Sequence, residues 1–430
     1  MNSVDKAENT PTPDLAQAFL IWLKIGLLSF GGPAAQIALM HRMVVEEKNW
    51  LSENQFLSAL SFCMLLPGPE AMQLATYAGW RLHGIRGGLI AGLLFVIPGA
   101  LLIIVLGTLY SWYGNVPLIE GLFLGIKAAV IIVVIEALLR VGKKALKGAQ
   151  QWLIAAVAFI GIFFFDVAFP LIVISAAVYG YFYIHSSDAI TGVKAPGRQQ
   201  LNASIRTVVI WLIIWWLPVL MLWGFGAHEL LIQVGTFFST LAVVTFGGAY
   251  AVLAYLAQDV VTQYGWLTAG EMMDGLGLAE TTPGPLILVT EFVGFIAGFK
   301  AGGMGLALSA ALVTLWVTFA PCFLWIFVGA PYIGWLSDQP RLKGAMNAIT
   351  AAVVGVILNL SVWFALHVWF TTVEPVKHGA LTLWTPSLSS LDWRVVLLTV
   401  LCGVAAFFMH WSIFRILLVA ALLGLGLSYV

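Results

Sequence analysis

Two stretches decide how this chain folds: FCMLLPGPEAMQL, Phe62 to Leu74, and GLAETTPGPLILV, Gly277 to Val289. Each is an apolar run of the kind that lies within a bilayer, and each carries a Pro-Gly-Pro in its middle, Pro67-Gly68-Pro69 and Pro283-Gly284-Pro285. Proline removes a backbone donor and clashes with the preceding turn, so two prolines around a glycine stop a helix rather than kink it. An unpaired backbone group in hydrocarbon costs several kcal/mol. Such a stop therefore persists only where it packs inside protein or lines a wet cavity.

The rest of the chain has the same solvent. Of 430 residues, 61% are hydrophobic and 9% charged, with a mean hydropathy of +0.98. A polytopic membrane protein follows, because no water-facing surface can be made from so few charges. Formal net charge is zero, which excludes a nucleic-acid partner and makes the distribution of charge among loops the informative quantity. Cys63, Cys322 and Cys402 are far apart and form no CxxC, so they read as packing residues. Residues 1–13 are polar and lack the apolar core of a signal peptide, which gives the expectation of a short polar tail.

Apolar segments long enough to span run from Gly87 to Ser111, Leu118 to Leu139, Thr207 to Gly224, Gly302 to Val328 and Leu342 to Leu366. Shorter pairs, Trp152 to Phe165 with Val167 to Ile184 and Trp393 to Met409 with Trp411 to Tyr429, read as helical hairpins of unset depth. The polar stretch Ser186 to Ser204 is the linker. The organisation expected is a membrane repeat at 14–190, a linker and connecting transmembrane helix at 191–230, and a second repeat at 231–430.

The repeat is visible residue by residue. At an offset of 216, SFGGP (Ser29 to Pro33) meets TFGGA (Thr245 to Ala249), Trp50-Leu51 meets Trp266-Leu267, and the two Pro-Gly-Pro triplets coincide. At 223, Pro98 meets Pro321, Pro117 meets Pro340, and Ala128-Ala129-Val130 meets Ala351-Ala352-Val353. Loop charge gives the relative orientation. Arg42, Lys48, Arg81, Arg86, Arg140, Lys143, Lys144 and Lys147 mark the connections of the first half, whereas the matching connections of the second half hold only Lys300. Opposite Leu118 and Glu120 the second half instead places Arg341 and Lys343. Each loop has changed sides, so the repeats are inverted. The fold class is thus an all-α polytopic membrane protein of two inverted-topology repeats, with helices broken at GGP and PGP and about 10–13 membrane segments by this count. Two arrangements satisfy the parity: the broken units 14–45 and 52–80 each cross once, or each is a re-entrant hairpin, which the basic loop between them favours.

A break that begins a new helix presents free N–H groups and a positive dipole end. Pro33 and Pro69 suit the first turn of such a helix. Two breaks per repeat would converge four helix starts on one site, an anion-binding design made from backbone. The candidate binding residues are Gly31, Gly32, Pro33, Pro67, Gly68, Pro69, Glu70, Gly247, Gly248, Pro283, Gly284 and Pro285. Plain helix packing is the competing reading for the glycine pairs. Charged residues in apolar surroundings are candidates for gating or coupling: Arg42, Arg81, Lys127, Glu280 and Glu291. Lys127 pairs with Glu120, seven residues earlier on nearly the same face, or attracts an anion; Glu70 caps its own helix or carries a proton. No metal spacing, P-loop, HExxH or GxSxG occurs, so neither an enzyme, a metal site nor a cofactor is expected.

Taken together, SFGGPAAQIALM (Ser29 to Met40), EEKNWLSENQF (Glu46 to Phe56), LLPGPEAMQLATYAGW (Leu65 to Trp80), TFGGAYAVLAYL (Thr245 to Leu256) and GWLTAGEMMDGLGLAETTPGPL (Gly265 to Leu286) resemble the chromate ion transporter family in its two-domain form. The resemblance covers essentially the whole chain. It implies export of chromate from the bacterial cytoplasm across the inner membrane, chromate resistance, and sulfate as a structural analogue. A sulfate or other small-anion transporter or channel is the alternative. The chain departs from repeat symmetry where Pro33 meets Ala249 and Glu70 meets Leu286. The expected partners are a chromate- or sulfate-like dianion and the bilayer. A homodimer is compatible with the sequence, which does not set the oligomeric state.

Overall fold

The computed structural model describes residues 13–114, 116–184, 198–246, 249–337 and 339–429. In the first half, α1 (Leu15–Leu28) and α2 (Gly32–His41) flank the SFGGP break, and α3 (Glu53–Cys63) and α4 (Glu70–Tyr113) flank the first Pro-Gly-Pro. α5 (Pro117–Ala145) and the short pair α6 (Ala149–Phe165) and α7 (Phe169–Tyr183) complete it. α8 (Arg198–Gly224) connects to the second half, and begins inside the stretch expected to be linker. There α9 (Glu229–Val244) and α10 (Ala249–Gln258) flank TFGGA, and α11 (Ala269–Thr281) and α12 (Val289–Gly329) flank the second Pro-Gly-Pro. The short α13 (Ile333–Ser337), then α14 (Pro340–Trp369), α15 (Trp393–Phe407) and α16 (Ile413–Leu427) follow.

The protein is an all-α polytopic membrane protein, and among the described residues five helices are long and apolar enough to cross a membrane: Glu70–Tyr113, Pro117–Ala145, Leu201–Gly224, Leu286–Tyr332 and Pro340–Trp369. They contain the five spans read from the sequence. One small element was not foreseen, a hairpin of β1 (Val373–His378) and β2 (Leu381–Pro386) turning at Gly379. Thr382 of this hairpin donates to Asp166, at the α6–α7 turn, over 2.7 Å.

Equivalent positions adopt equivalent structure. A π-helical turn closes the second arm of each first unit, at Arg42–Glu47 and Asp259–Gln263. The next helix opens in both halves with a capping box, Ser52 with Gln55 and Thr268 with Glu271, which satisfies two otherwise orphaned N–H groups. Trp22 packs on Trp50 with centroids 6.5 Å apart, and 216 residues later Phe238 packs on Trp266 at 6.3 Å.

The contacts also decide between the two arrangements of the broken units. His83 Nε2 lies 2.7 Å from the carbonyl of Pro13, and a Cβ on Gly26 would fall 2.0 Å from the carbonyl of Leu94. α1 therefore runs alongside the second arm of α4 from the same end of the bundle. The chain then comes back, since Trp50 lies beside Trp22 and His41 bonds Glu53. Around the Pro-Gly-Pro, Phe62 and Tyr77 pack side by side at 6.5 Å, so that unit also doubles back. Both are re-entrant hairpins in shape. α4 then reverses at His83 and Gly84 (φ 60°, ψ −150°), and α12 reverses at Gly302 and Gly303 (φ 74°, ψ −164°). In the first half Met64 lies 3.8 Å from Lys144, at the far end of α5. In the second, Asp274 bonds Tyr110, at the far end of α4. Gly88 and Gly92 lie against Phe327 and Phe323, so the long arms of α4 and α12 run in opposite directions and the broken units of the two halves enter from opposite ends.

Glycines allow the close helix approaches that lipid-embedded packing requires. A Cβ on Gly99 would lie 2.1 Å from the carbonyl of Pro283, whereas one on Gly305 would meet nothing within 4 Å. Gly99→Val should therefore lower the midpoint of thermal unfolding in detergent or abolish folding, while Gly305→Ala leaves it unchanged or slightly raised. Equal midpoints for the two variants would contradict this packing.

Candidate functional site

The site begins with the residue before each glycine pair. Ser29 Oγ donates to the carbonyl of Ile25 over 2.6 Å, and Thr245 Oγ1 does the same to Leu241 over 2.5 Å. Each hydroxyl ties off the last turn of its helix and leaves that residue's own carbonyl facing outward. Gly31 (φ 84°) and Gly32 (φ 77°) then take the chain through two successive left-handed conformations, which residues with a Cβ adopt only under strain. α2 starts at Gly32 with Pro33 in its first turn, as the sequence indicated. Pro69 differs: it occupies the cap position, and Glu70 is the first helical residue. In the second half a 3₁₀ turn, Leu286–Leu288, precedes α12.

The breaks are joined across the two halves. The N–H of Gly68 donates to the carbonyl of Thr245 over 2.8 Å, and the N–H of Gly284 donates to the carbonyl of Ser29 over 2.9 Å. The N–H groups of both glycines are occupied by the outward-facing carbonyls, so the free donors expected at the helix starts are not those of Gly68 and Gly284. Two buried glutamines reinforce the junction. Gln36 Nε2 donates to the carbonyl of Gly284 over 2.6 Å, and Gln73 Nε2 donates to that of Pro67 over 2.7 Å. Neither was singled out from the sequence, although each follows a break proline by three or four residues, a polar exception in an apolar run.

Three of the four helix starts meet. Pro33, Gln36, Pro69, Glu70, Ala71, Pro285 and Leu286 line one cavity of about 10 Å³, room for a single water molecule. Gly247 and Gly248, at the fourth break, lie outside the described residues. A space of this size is too small for a tetrahedral oxyanion.

The charged candidates fall into three places. At the centre, Glu70 is half-buried on the cavity wall and makes no cap bond to its helix. Beside the breaks, the buried Glu280 accepts from Tyr250 over 2.8 Å and borders an apolar space of about 520 Å³ with Phe30, Gly31, Ala35, Ser412, Ile413 and Phe414. Glu291 is fully buried, and neither carboxylate oxygen has a hydrogen-bond partner. Farther out, Lys127 does not pair with Glu120, which is exposed; its partner is the buried Asp274, at 3.4 Å. Arg42, paired with Glu47 at 3.6 Å, and Arg81 are exposed and stand away from the central cavity. Among the described residues no group of three or more His, Cys, Asp or Glu is placed to hold a metal.

The chromate transporter family model matches residues 16–181 and 232–425. The chain belongs to the chromate transporter family. It is 32% identical over 366 residues to a chromate transport protein of Pseudomonas aeruginosa, covering 81% of each chain. It is 29% identical over 355 residues to one of Cupriavidus metallidurans, covering 81% of this chain and 82% of that one. An uncharacterised transporter of Bacillus subtilis, YwrA, is 31% identical over 165 residues, which is 38% of this chain but 93% of that protein. No solved structure matches. These relatives indicate a transporter rather than an enzyme.

Replacing Gln36 by leucine removes the side-chain donor from a buried carbonyl, a loss of about 1–3 kcal/mol. Gln36→Leu should lower the thermal midpoint of the purified protein. An unchanged midpoint would show that the junction does not depend on this bond.

Proposed function

We propose that this protein exports chromate from the bacterial cytoplasm across the inner membrane and thereby confers chromate resistance. The anion is held where the broken helices of two inverted repeats converge. The observation that carries the reading is the meeting of three helix starts on one central cavity, in a chain whose family is that of the chromate transporters. Helix N-termini suit an oxyanion because their N–H groups and dipoles need no compensating cation.

The two Gly N–H···O=C bonds close the site between turnovers. Opening one break breaks its bond to the opposite half, frees the glycine donor for the substrate, and exposes the site to one side. With the two halves entering from opposite ends, the same step in the other half exposes it to the other side, which is alternating access about a fixed centre. The end rich in arginine and lysine is cytoplasmic.

The membrane potential supplies a sufficient driving force. Moving a dianion out of a cell that is negative inside gains about 2.3 kcal/mol per charge per 100 mV. Two charges give about 4.6 kcal/mol, or about a 2000-fold gradient. Glu70, Glu280 and Glu291, all near the breaks, are the groups through which proton coupling would add to this.

The test is chromate flux in proteoliposomes of purified protein under an imposed potential, with sulfate as competitor. Potential-driven flux that Pro67→Ala/Pro69→Ala loses, and that saturates, is the expected result. Flux of another anion without chromate would overturn the substrate. Normal flux in the double variant would overturn the role of the break.

A further inference from the structure

Lys127, half-buried, and the buried Asp274 form an ion pair between the halves that the central site does not use. The Lys127 side chain, on α5, is 28% exposed, while the Asp274 side chain, on α11, is 5% exposed. Tyr110 of α4 donates to Asp274 Oδ2 over 2.8 Å and is held between Phe123 and Phe292 at centroid distances of 5.2 and 5.4 Å. Asp274 Oδ1 has no hydrogen bond and is the oxygen paired with the ammonium, at 3.4 Å. The carboxylate is thus fixed at one oxygen and loosely placed, for charge alone, at the other.

The pair lies on one side of the centre. Asp274 is six residues before Glu280 on α11, about 9 Å along the helix axis. It is on the side of Lys300, which bonds Glu271 at 2.6 Å, and opposite to Lys144. By the charge distribution this is the non-cytoplasmic side.

We propose that Lys127 is a second anion subsite on the exit side, taking the tetrahedral dianion as it leaves the central cavity, with Asp274 as a built-in competitor for it. Without the carboxylate, a partly desolvated ammonium would bind a passing dianion and retain it. With it, the dianion displaces a single negative charge and is in turn displaced, so the subsite attracts and still releases. Tyr110 is a positioning residue that keeps Asp274 within reach of the ammonium. The inference rests on the anion-transport reading above.

The experiment measures KM and kcat for chromate in proteoliposomes for Lys127→Gln, Asp274→Asn and the double variant. Asp274→Asn should lower KM and kcat together by about fivefold, because the anion binds Lys127 unopposed and leaves slowly. Lys127→Gln should raise KM, and the double variant should behave as Lys127→Gln, since Asp274 acts only through the ammonium. Tyr110→Phe should shift KM in the direction of Asp274→Asn, by less. A structural ion pair predicts a different pattern: both single variants lose stability, and the neutral double variant recovers wild-type kinetics. That recovery, or an unchanged KM in Asp274→Asn, overturns the subsite and leaves the central site untouched. A wild type that carries no oxyanion overturns both.

Discussion

The structure depends on satisfying backbone groups that a broken helix exposes inside a membrane. Water is not available there, and the side chains around the breaks are mostly apolar. The solution is reciprocal: the Gly68 N–H is satisfied by the carbonyl of Thr245, and the Gly284 N–H by that of Ser29. Each half supplies what the other lacks. In this chain the break glycine of each half is satisfied by a carbonyl of the other, so the junction belongs to both halves together.

Much of the surrounding sequence follows from these two bonds. Ser29 and Thr245 have hydroxyls because the helix before each break must end without using the carbonyl that crosses over. The glycines accept positive φ where the chain turns into the next helix. Close approach of the opposite half explains why Gly99 has no side chain at the carbonyl of Pro283, and why Cys322, its equivalent, presents only a thiol to Gly68. The two halves are not equal, however. Gln36 and Gln73 brace the junction from the first half alone, with Val252 and Val289 at the matching positions. Glu70 on the cavity wall faces its counterpart Leu286. The polar work at the centre is concentrated in the first half, and the buried acids Glu280 and Glu291 are in the second.

What could be read from the sequence was whatever has a strong one-dimensional signal. The five long apolar helices, the breaks at Pro33, Pro69 and Pro285, and the offset of 216 all depend on residue type and spacing. The partners of charged and polar groups did not have such a signal. Along the sequence the visible neighbour of Lys127 is Glu120, seven residues earlier, yet its partner Asp274 is 147 residues away and is brought near by the packing of α11 on α5. The use of the Gly68 and Gly284 donors was illegible for the same reason: a break seen in one half gives no sign that its N–H is satisfied by the other. Gln36 and Gln73 could have been found as isolated amides beside prolines. The β-hairpin at 373–386 was hidden in a short polar connection whose strands are set by each other and by Asp166.

The central claim is that the junction of broken helices is where the oxyanion is held, and hydrogen exchange of those backbone groups tests it most directly. Deuterium uptake would be compared for the segments spanning 65–74 and 281–290 in the lipid-embedded protein, with chromate and with chloride. The account predicts that chromate, and not chloride, changes exchange in both segments together, because both lie on the same cavity. Unchanged exchange in both segments, under conditions where chromate is transported, would contradict it and place the substrate elsewhere in the protein.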